Sequence, residues 1–177
     1  MSAEEAEFVG RMGLFFQVLG ATRTMGLIYG WLMISEPSHQ SITEMATALG
    51  ASKASISTDV RQLEQTQMVE RVPVPGSRQH HYQLKSGGWA QVMRARVARL
   101  QPGRDAANYG LSIVGPDRPD QRERLYELHD FLEFVKDEFD ETQIRRWQDY
   151  RARARAARAD ADDTADDSAP AAGTAAP

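Results

Sequence analysis

Apolar side chains recur every three or four residues along most of the chain, which is the period of an amphipathic α-helix. Where the period stops, the sequence supplies ordinary helix ends: Pro37 disfavours helix in the residue before it, and Gly50 can take up the left-handed conformation that closes a helix. Ser41 and Glu44 have the spacing of an N-terminal capping box. The pattern predicts helices over Ala3–Leu19, Thr22–Ile34, Ser41–Leu49, Lys53–Gln67, Ser86–Leu100, Asp105–Val114 and Pro119–Trp147.

Between residues 69 and 84 the helical period is lost, and two short strands are predicted instead. Val69–Val74 and His81–Leu84 are joined by Pro75–Gln79, which contains the proline, glycine and serine of a turn. The predicted fold class is therefore mainly α with a small β-hairpin (α+β). The order of elements is that of a winged helix-turn-helix, with Lys53–Gln67 as the recognition helix and the hairpin as the wing.

Charge is distributed unevenly along the 177 residues, although the net charge is only −4. From Ser52 to Arg104 there are nine Lys/Arg against three acids, a local excess of +6. A basic surface on the part that holds the recognition helix and the wing favours an anionic partner such as DNA. From residue 151 onward the sequence is rich in Ala, Arg and Asp and lacks the apolar side chains that offset the entropy of ordering. We therefore expect residues 151–177 to form a disordered acidic tail.

Few residues in this chain are candidates for catalysis or for metal binding. It contains no cysteine, which excludes zinc–thiolate sites and thiol nucleophiles. It also lacks a phosphate-binding glycine loop and triad spacing, and the adjacent His80 and His81 would point to opposite faces of a strand. We therefore expect no enzyme, no cofactor and no metal. Because no apolar run is long enough to span a bilayer and the N-terminus is acidic, we expect a cytoplasmic protein without membrane contact.

Five segments match motifs of a known family: Gly30-Trp-Leu-Met, Ser41-Ile-Thr-Glu-Met-Ala-Thr-Ala-Leu-Gly-Ala-Ser-Lys-Ala-Ser-Ile-Ser-Thr58, Leu63-Glu, Met68-Val-Glu-Arg-Val-Pro-Val-Pro-Gly76 and Tyr82-Gln-Leu84. They resemble the MarR family of bacterial transcriptional regulators, in particular its GbsR-like branch, over about Glu7 to Trp147. The resemblance implies a homodimer whose N- and C-terminal helices pack together and whose two lobes bind a near-palindromic operator in double-stranded DNA. It also implies repression of transport or efflux genes, with release of DNA when a small ligand binds between the dimerisation and DNA-binding regions.

The resemblance and the helical pattern together divide the chain into four parts. They are N-terminal helices for dimerisation and support (1–35), a winged helix-turn-helix core (36–86), C-terminal dimerisation helices (87–150) and the tail (151–177). The wing departs from the family pattern, which often has Asp-Arg-Arg where this chain has Ser77-Arg78-Gln79. Only Arg78 matches, so the aspartate that would orient the arginine is missing.

Candidate DNA contacts lie at the start of the recognition helix and at the hairpin tip. We expect Ser52 and Lys53 to hold phosphate, because a helix N-terminus presents free N–H groups and the positive end of its dipole. Arg61 is the candidate for guanine, since its two donors match O6 and N7. Arg78 could enter a minor groove or lie on phosphate. The other candidates are Ser55, Ser57, Thr58 and Gln62 for base edges, and Gln79 and His80 beside Arg78. The structural alternatives are that Ser52 only caps the helix and that Ser57 and Arg78 are solvated.

An apolar stripe on the long C-terminal helix needs a packing partner. The expected dimer contacts are Phe8, Met12, Phe15, Leu125, Leu128, Leu132, Val135 and Phe139. The aromatic and methionine side chains are explained by core and dimer packing, yet a pocket between such helices would also suit a hydrophobic effector. The alternative function is a winged-helix module that binds protein and not DNA, suggested by the acidic pI of about 5.6 and the altered wing.

Overall fold

The computed structural model describes residues 1–166, which divide into two compact units, Met1–Arg99 and the part from Leu100 onward. Helices and a small antiparallel sheet make up the fold, which confirms the predicted fold class. The first unit contains α1 (Ala3–Val18), α2 (Arg23–Ile34), β1 (Gln40–Ser41), α3 (Ile42–Leu49), α4 (Lys53–Gln65), β2 (Val69–Val72), β3 (His81–Leu84) and α5 (Gly88–Ala98). The second contains α6 (Gln101–Ile113), α7 (Pro119–Glu138) and α8 (Glu141–Asp166).

The core of the first unit forms where α2, α3 and α4 pack against one another. Ile28, Met45, Ile56, Val60 and Leu63 are fully buried there. Complete burial of an apolar side chain of this size contributes about 1.5–3 kcal/mol. Three of these residues lie on α4 at the helical spacing seen in the sequence, so the inner face of α4 is fixed by this core and its opposite face is left to solvent.

The helices α1 and α2 cross closely at a glycine. A Cβ atom at Gly26 would lie 2.3 Å from the carbonyl oxygen of Met12 and 2.7 Å from the Cα atom of Gly13. One turn later, a Cβ at Gly30 would lie 2.9 Å from the Cβ of Met12. The backbones therefore meet without side chains between them, which holds the N-terminal end of α2 in a defined place.

The sheet contains a strand that the sequence pattern did not predict. β1 pairs antiparallel with β3, with Gln40 opposite Tyr82 and Ser41 opposite His81, so the strand order is β1-β3-β2. A two-residue strand of polar residues has no alternation to detect. The wing is thus attached along β3 to the residues that start α3, which ties its base to the helix-turn-helix.

The recognition helix and the first strand of the wing were each predicted two residues longer than they are. The recognition helix ends at Gln65 and not at Gln67, because Gln67 takes a left-handed conformation with φ +60°. The first strand of the wing ends at Val72 and not at Val74, since Pro73 has no N–H group to donate to the ladder.

In the second unit, α6 and α7 pack together through leucines of α7 that meet glycines of α6. A Cβ at Gly110 would lie 2.8 Å from Leu125, and a Cβ at Gly103 would lie 3.2 Å from Leu132. Leu132 is buried with 5% of its surface exposed. Two of the residues expected to contact a second subunit therefore pack against a helix of their own chain.

The single helix predicted over Pro119–Trp147 is wrong, because the structure has two helices there, α7 and α8. They are separated by Phe139 and Asp140. The Asp140 carboxylate accepts hydrogen bonds from the backbone N–H groups of Thr142, at 2.7 Å, and of Gln143, at 3.2 Å. An aspartate that satisfies the first N–H groups of a helix is an N-cap, and it starts a new helix within an otherwise continuous apolar pattern.

Disorder was expected from residue 151, and this expectation is wrong for residues 151–166, which continue α8. Alanine and arginine are among the strongest helix formers, and a helix that has already started adds residues at little further cost. Helical propensity therefore outweighs the missing apolar side chains. Residues 167–177, the remainder of the expected tail, lie outside the described residues.

Candidate nucleic-acid interface

The helix-turn-helix is held at both of its helix starts by side-chain caps. The Ser41 hydroxyl accepts from the N–H of Glu44 at 3.2 Å, and the Glu44 carboxylate accepts from the N–H of Ser41 at 2.7 Å, which completes the expected capping box. The backbone hydrogen bond from Ser41 is the main reason why the pKa of Glu44 lies below its ordinary value of 4.5, and the Ser41 side chain and His81 add to it. Gly50 closes α3 in the left-handed conformation, with φ +61°.

The second helix of the motif, α4, begins at an N-cap on Ser52, whose hydroxyl accepts from the N–H of Ser55 at 3.1 Å. Ser52 and Lys53 are exposed at this end, so they can meet an anion from solvent. The hydroxyl of Ser52 is engaged in the cap, so its free donor is the O–H proton. Ser52 therefore caps α4, which was the alternative to a DNA contact, and the same residue can still donate its proton to a phosphate.

The outer face of α4 is polar and basic. Thr58, Arg61 and Gln62 are exposed on it, while Ser55 and Ser57 are half-buried. The Thr58 hydroxyl donates to the carbonyl of Ala54 at 3.0 Å, which leaves its oxygen as an acceptor. Among the sequence candidates on this helix, Lys53, Arg61 and Gln62 therefore present the longest side chains with unengaged donors in the described contacts.

Both acids of α4 are held by other residues. Asp59 is buried, with 6% of its surface exposed, and accepts a hydrogen bond from the Thr22 hydroxyl at 3.0 Å. Glu64 forms an ion pair with Arg71 of β2 at 3.0 Å. The outer face of α4 is therefore free of an unpaired carboxylate that would repel a phosphate backbone.

The wing presents its basic residue at the tip. Arg78, Gln79 and His80 are all exposed, and the Ser77 hydroxyl accepts from the N–H of Gln79 at 3.1 Å. These residues line a shallow cleft of about 340 Å³ that also includes Arg71. Two guanidinium groups therefore border one concave surface of the hairpin.

The two adjacent histidines of the wing differ in burial, and only His81 belongs to a strand, since β3 begins there. His80 is exposed, whereas His81 is buried at 8% and its Nδ1 lies 3.2 Å from the carbonyl of Gln79. Within residues 1–166 the structure contains no group of three His, Asp or Glu side chains that could hold a metal ion. The arrangement has the features of a binding surface, with no reactive cluster among the groups described above.

A cavity of about 380 Å³ lies beside the C-terminal half of α4 in the first unit, and Gln62 borders both this cavity and the outer face of the helix. Aromatic and aliphatic side chains contribute to its lining. Phe16 and Trp89 line it and form an aromatic cluster with Tyr29, with ring centroids 5.4–5.9 Å apart. Arg96 and Arg99 supply positive charge to its lining. The sequence indicated these apolar residues without showing that they enclose a space.

Sequence reasoning missed the residues that orient α4. Asp59 was counted only as an acid, and Thr22 only as the start of a helix. Arg71 was counted as a base, but its position over the ring of Tyr82, 5.7 Å from the centroid, was not foreseen. These contacts join residues far apart in the chain, and no local pattern reports them.

The expected dimer contacts occupy different environments. Phe8, Met12 and Val135 are half-buried, and Phe15 is partly exposed beside Trp89, with ring centroids 5.8 Å apart. Leu128 and Phe139 of the second unit are exposed. The neighbouring Phe131 and Phe134 are more exposed still, at 60% and 62%.

Among residues 1–166, each helix is too short or too polar to span a lipid bilayer.

Comparison with known proteins shows similarity to a protein family, to a known regulator and to a solved structure. A family described as MmpR5-like MarR family transcriptional regulators matches residues 87–151. The HTH-type transcriptional regulator MmpR5 of Mycobacterium tuberculosis is 37% identical over 130 residues, which is 73% of this chain and 79% of that protein. The crystal structure of a transcriptional regulator is 34% identical and covers 82% of this chain and 99% of its own, with a TM-score of 0.69.

Proposed function

Because the chain belongs to the MmpR5-like MarR family of winged-helix transcriptional regulators, we propose that it is a homodimeric, sequence-specific repressor of transport or efflux genes. One observation carries the DNA-binding part of this proposal. The outer face of α4 exposes Lys53, Arg61 and Gln62, while Asp59 is buried and Glu64 is paired with Arg71. A helix of this kind can enter the major groove without placing a carboxylate against phosphate.

The proposed contacts to DNA are of two kinds: contacts to phosphate position the protein, and contacts to base edges read the sequence. Ser52 and Lys53 meet a phosphate at the N-terminal end of α4, where the helix dipole is positive. Arg61 binds guanine through O6 and N7, and Gln62 is suited to adenine. Ser55, Ser57 and Thr58 make shorter contacts to base edges, with Thr58 restricted to accepting.

The wing adds a contact beside the major groove. Arg78 enters the minor groove or lies on phosphate, with Gln79 and His80 next to it. All three are exposed at the tip of the hairpin. Arg71 stands on the same cleft, and its ion pair with Glu64 links the wing to α4. This pair helps to keep the wing at a fixed distance from the recognition helix.

A second copy of the chain covers the exposed apolar face of α7. Leu128, Phe131, Phe134 and Phe139 are between 44% and 62% exposed, and large apolar side chains grouped in this way are typical of interaction surfaces. Leu125 and Leu132 face α6 and hold that face in place. Two lobes related by a twofold axis would bind half-sites about one helical turn apart, which gives a near-palindromic operator.

A small hydrophobic effector occupies the 380 Å³ cavity and releases the DNA. A volume of this order suits a small ligand, and the aromatic and aliphatic lining residues accept a hydrocarbon or aromatic group. Arg96 and Arg99 would favour a ligand that also carries negative charge. The GbsR-like branch and the cytoplasmic location stay predictions, and we propose no catalytic role.

Selection of genomic DNA fragments on the purified protein tests the proposal. We expect enrichment of a short near-palindrome, and fluorescence anisotropy on that duplex should show affinity that falls steeply with salt as phosphate contacts release counterions. Arg11→Ala is the matched control for a variant such as Arg61→Ala that removes an arginine of the proposed interface, because Arg11 is an exposed residue of α1 paired with Glu7. Failure to enrich any sequence at low salt, together with capture of a defined protein partner, would favour the protein-binding alternative.

A further inference from the structure

Asp59 is a buried carboxylate on the recognition helix that the proposed DNA contacts do not use. Its neighbours on the inner face, Ile56, Val60 and Leu63, are fully buried apolar residues. A carboxylate in such surroundings is destabilising unless a donor compensates it. The Thr22 hydroxyl supplies a hydrogen bond at 3.0 Å, across 37 residues of sequence.

Thr22 has two roles at this contact. Its hydroxyl oxygen accepts from the N–H of Met25 at 3.1 Å and so caps α2, while its proton is donated to Asp59. The start of a helix also carries a partial positive charge, which favours a carboxylate nearby. The Thr22–Asp59 hydrogen bond therefore ties the middle of α4 to the fixed N-terminal end of α2. It acts together with the apolar core to fix the rotation of α4. Thr58 and Arg61 lie within two residues of Asp59, so a turn of the helix at Asp59 would also move these two side chains.

Thr22 and Asp59 do not line the cavity themselves, but segments next to each of them in the chain do. Leu19, Gly20 and Ala21 line it and lead directly into Thr22. On the other side, Gln62, Gln65 and Thr66 line it, beginning one turn after Asp59. A group that fills the cavity presses on the two segments that the hydrogen bond joins.

We propose that Thr22 and Asp59 are positioning residues, and that their hydrogen bond transmits occupancy of the cavity to the DNA-reading face of α4. The inference rests on the proposed function, since it takes the cavity as the effector site. The bond holds α4 in the orientation that reads bases. Occupation of the cavity separates the Leu19–Ala21 turn from α4 and strains the bond, so sequence discrimination falls before general DNA affinity does.

The first experiment separates positioning from stability. Asp59→Leu removes the acceptor and places an apolar side chain in an apolar core, so its melting temperature should be equal to or above that of the unaltered chain. Its affinity for the selected duplex relative to a scrambled duplex should nevertheless fall about tenfold, equivalent to about 1.4 kcal/mol. Asp59→Asn and Thr22→Ser keep an acceptor and a hydroxyl, and both should stay within about threefold of the unaltered protein.

A loss of affinity for both duplexes by the same factor, with a lower melting temperature, would show that Asp59 is only structural. Unchanged discrimination in Asp59→Leu would also overturn the proposal. Both results differ from a failure of the proposed function, in which the unaltered chain selects no duplex at all.

The second experiment fills the cavity without a ligand. Ala95→Phe places a ring in the lining of α5 and should lower affinity for the selected duplex about tenfold in the unaltered background. In the Asp59→Leu background, Ala95→Phe should change the affinity little further, because the hydrogen bond between Thr22 and Asp59 is already absent. Equal loss in both backgrounds, or no loss in either, would refute the coupling. Thermal unfolding confirms that each variant is folded, and Val92→Trp, in the same wall, replaces Ala95→Phe if the latter unfolds.

Discussion

Gly26→Ala should destabilise the first unit although alanine is the better helix former. The added Cβ would lie 2.3 Å from the Met12 carbonyl oxygen and 2.7 Å from the Gly13 Cα atom, both backbone atoms that cannot rotate away. The helices α1 and α2 must therefore separate along their crossing. Overpacking of this kind costs about 1–3 kcal/mol, and we expect the upper end because no flexible side chain can yield.

Helix propensity acts in the opposite direction and limits the loss. Alanine is favoured over glycine by about 1 kcal/mol within a helix, so the net destabilisation should be about 2 kcal/mol. For a chain of this size, that corresponds to a fall in melting temperature of about 4–8 °C. Thermal unfolding followed by circular dichroism measures it.

Gly10→Ala is the matched control, because Gly10 lies within α1 and nothing lies within 4 Å of a Cβ built there. It should raise the melting temperature by about 2–4 °C through propensity alone. A Gly26→Ala protein that unfolds at or above the temperature of the unaltered chain would refute the close crossing. Since the crossing also fixes the end of α2 that bears Thr22, the same variant should show weaker sequence discrimination.

Three further outcomes are expected. Arg61→Ala should weaken binding of the selected duplex by about 1–3 kcal/mol and relax one base position, whereas an equal loss on every duplex in anisotropy titrations would make it a phosphate contact. Phe134→Glu should leave the helix content unchanged but give a monomer in analytical ultracentrifugation, and its DNA binding in anisotropy titrations should be weaker. A stable dimer would exclude this face of α7 as the dimer interface. Glu44→Gln should lower the melting temperature at neutral pH, because the lowered pKa of Glu44 means that its ionised form stabilises the folded chain above pH 4.5. The difference in melting temperature from the unaltered chain should shrink as the pH is lowered below 4.5, and a difference that stays constant would contradict this linkage.

Local signals along the chain were sufficient for the helix-turn-helix. The capping box of Ser41 and Glu44, the left-handed Gly50 and the N-cap Ser52 were all predicted and are all present, because each depends on residues within one turn of it. The Asp140 cap is equally local. It was missed because the apolar pattern continued through it and was given more weight.

By itself the sequence determined the fold class, the recognition helix and the wing, since periodicity, caps and turn residues act over a few positions. Tertiary structure decided which polar groups remain available on those elements. Asp59 has a hydrogen-bond donor on the inner face because Thr22 lies opposite it, and Leu132 packs closely on α6 because Gly103 leaves room there. Contacts between distant segments depend on how closely backbones approach, and no local pattern of apolar and polar residues encodes that distance.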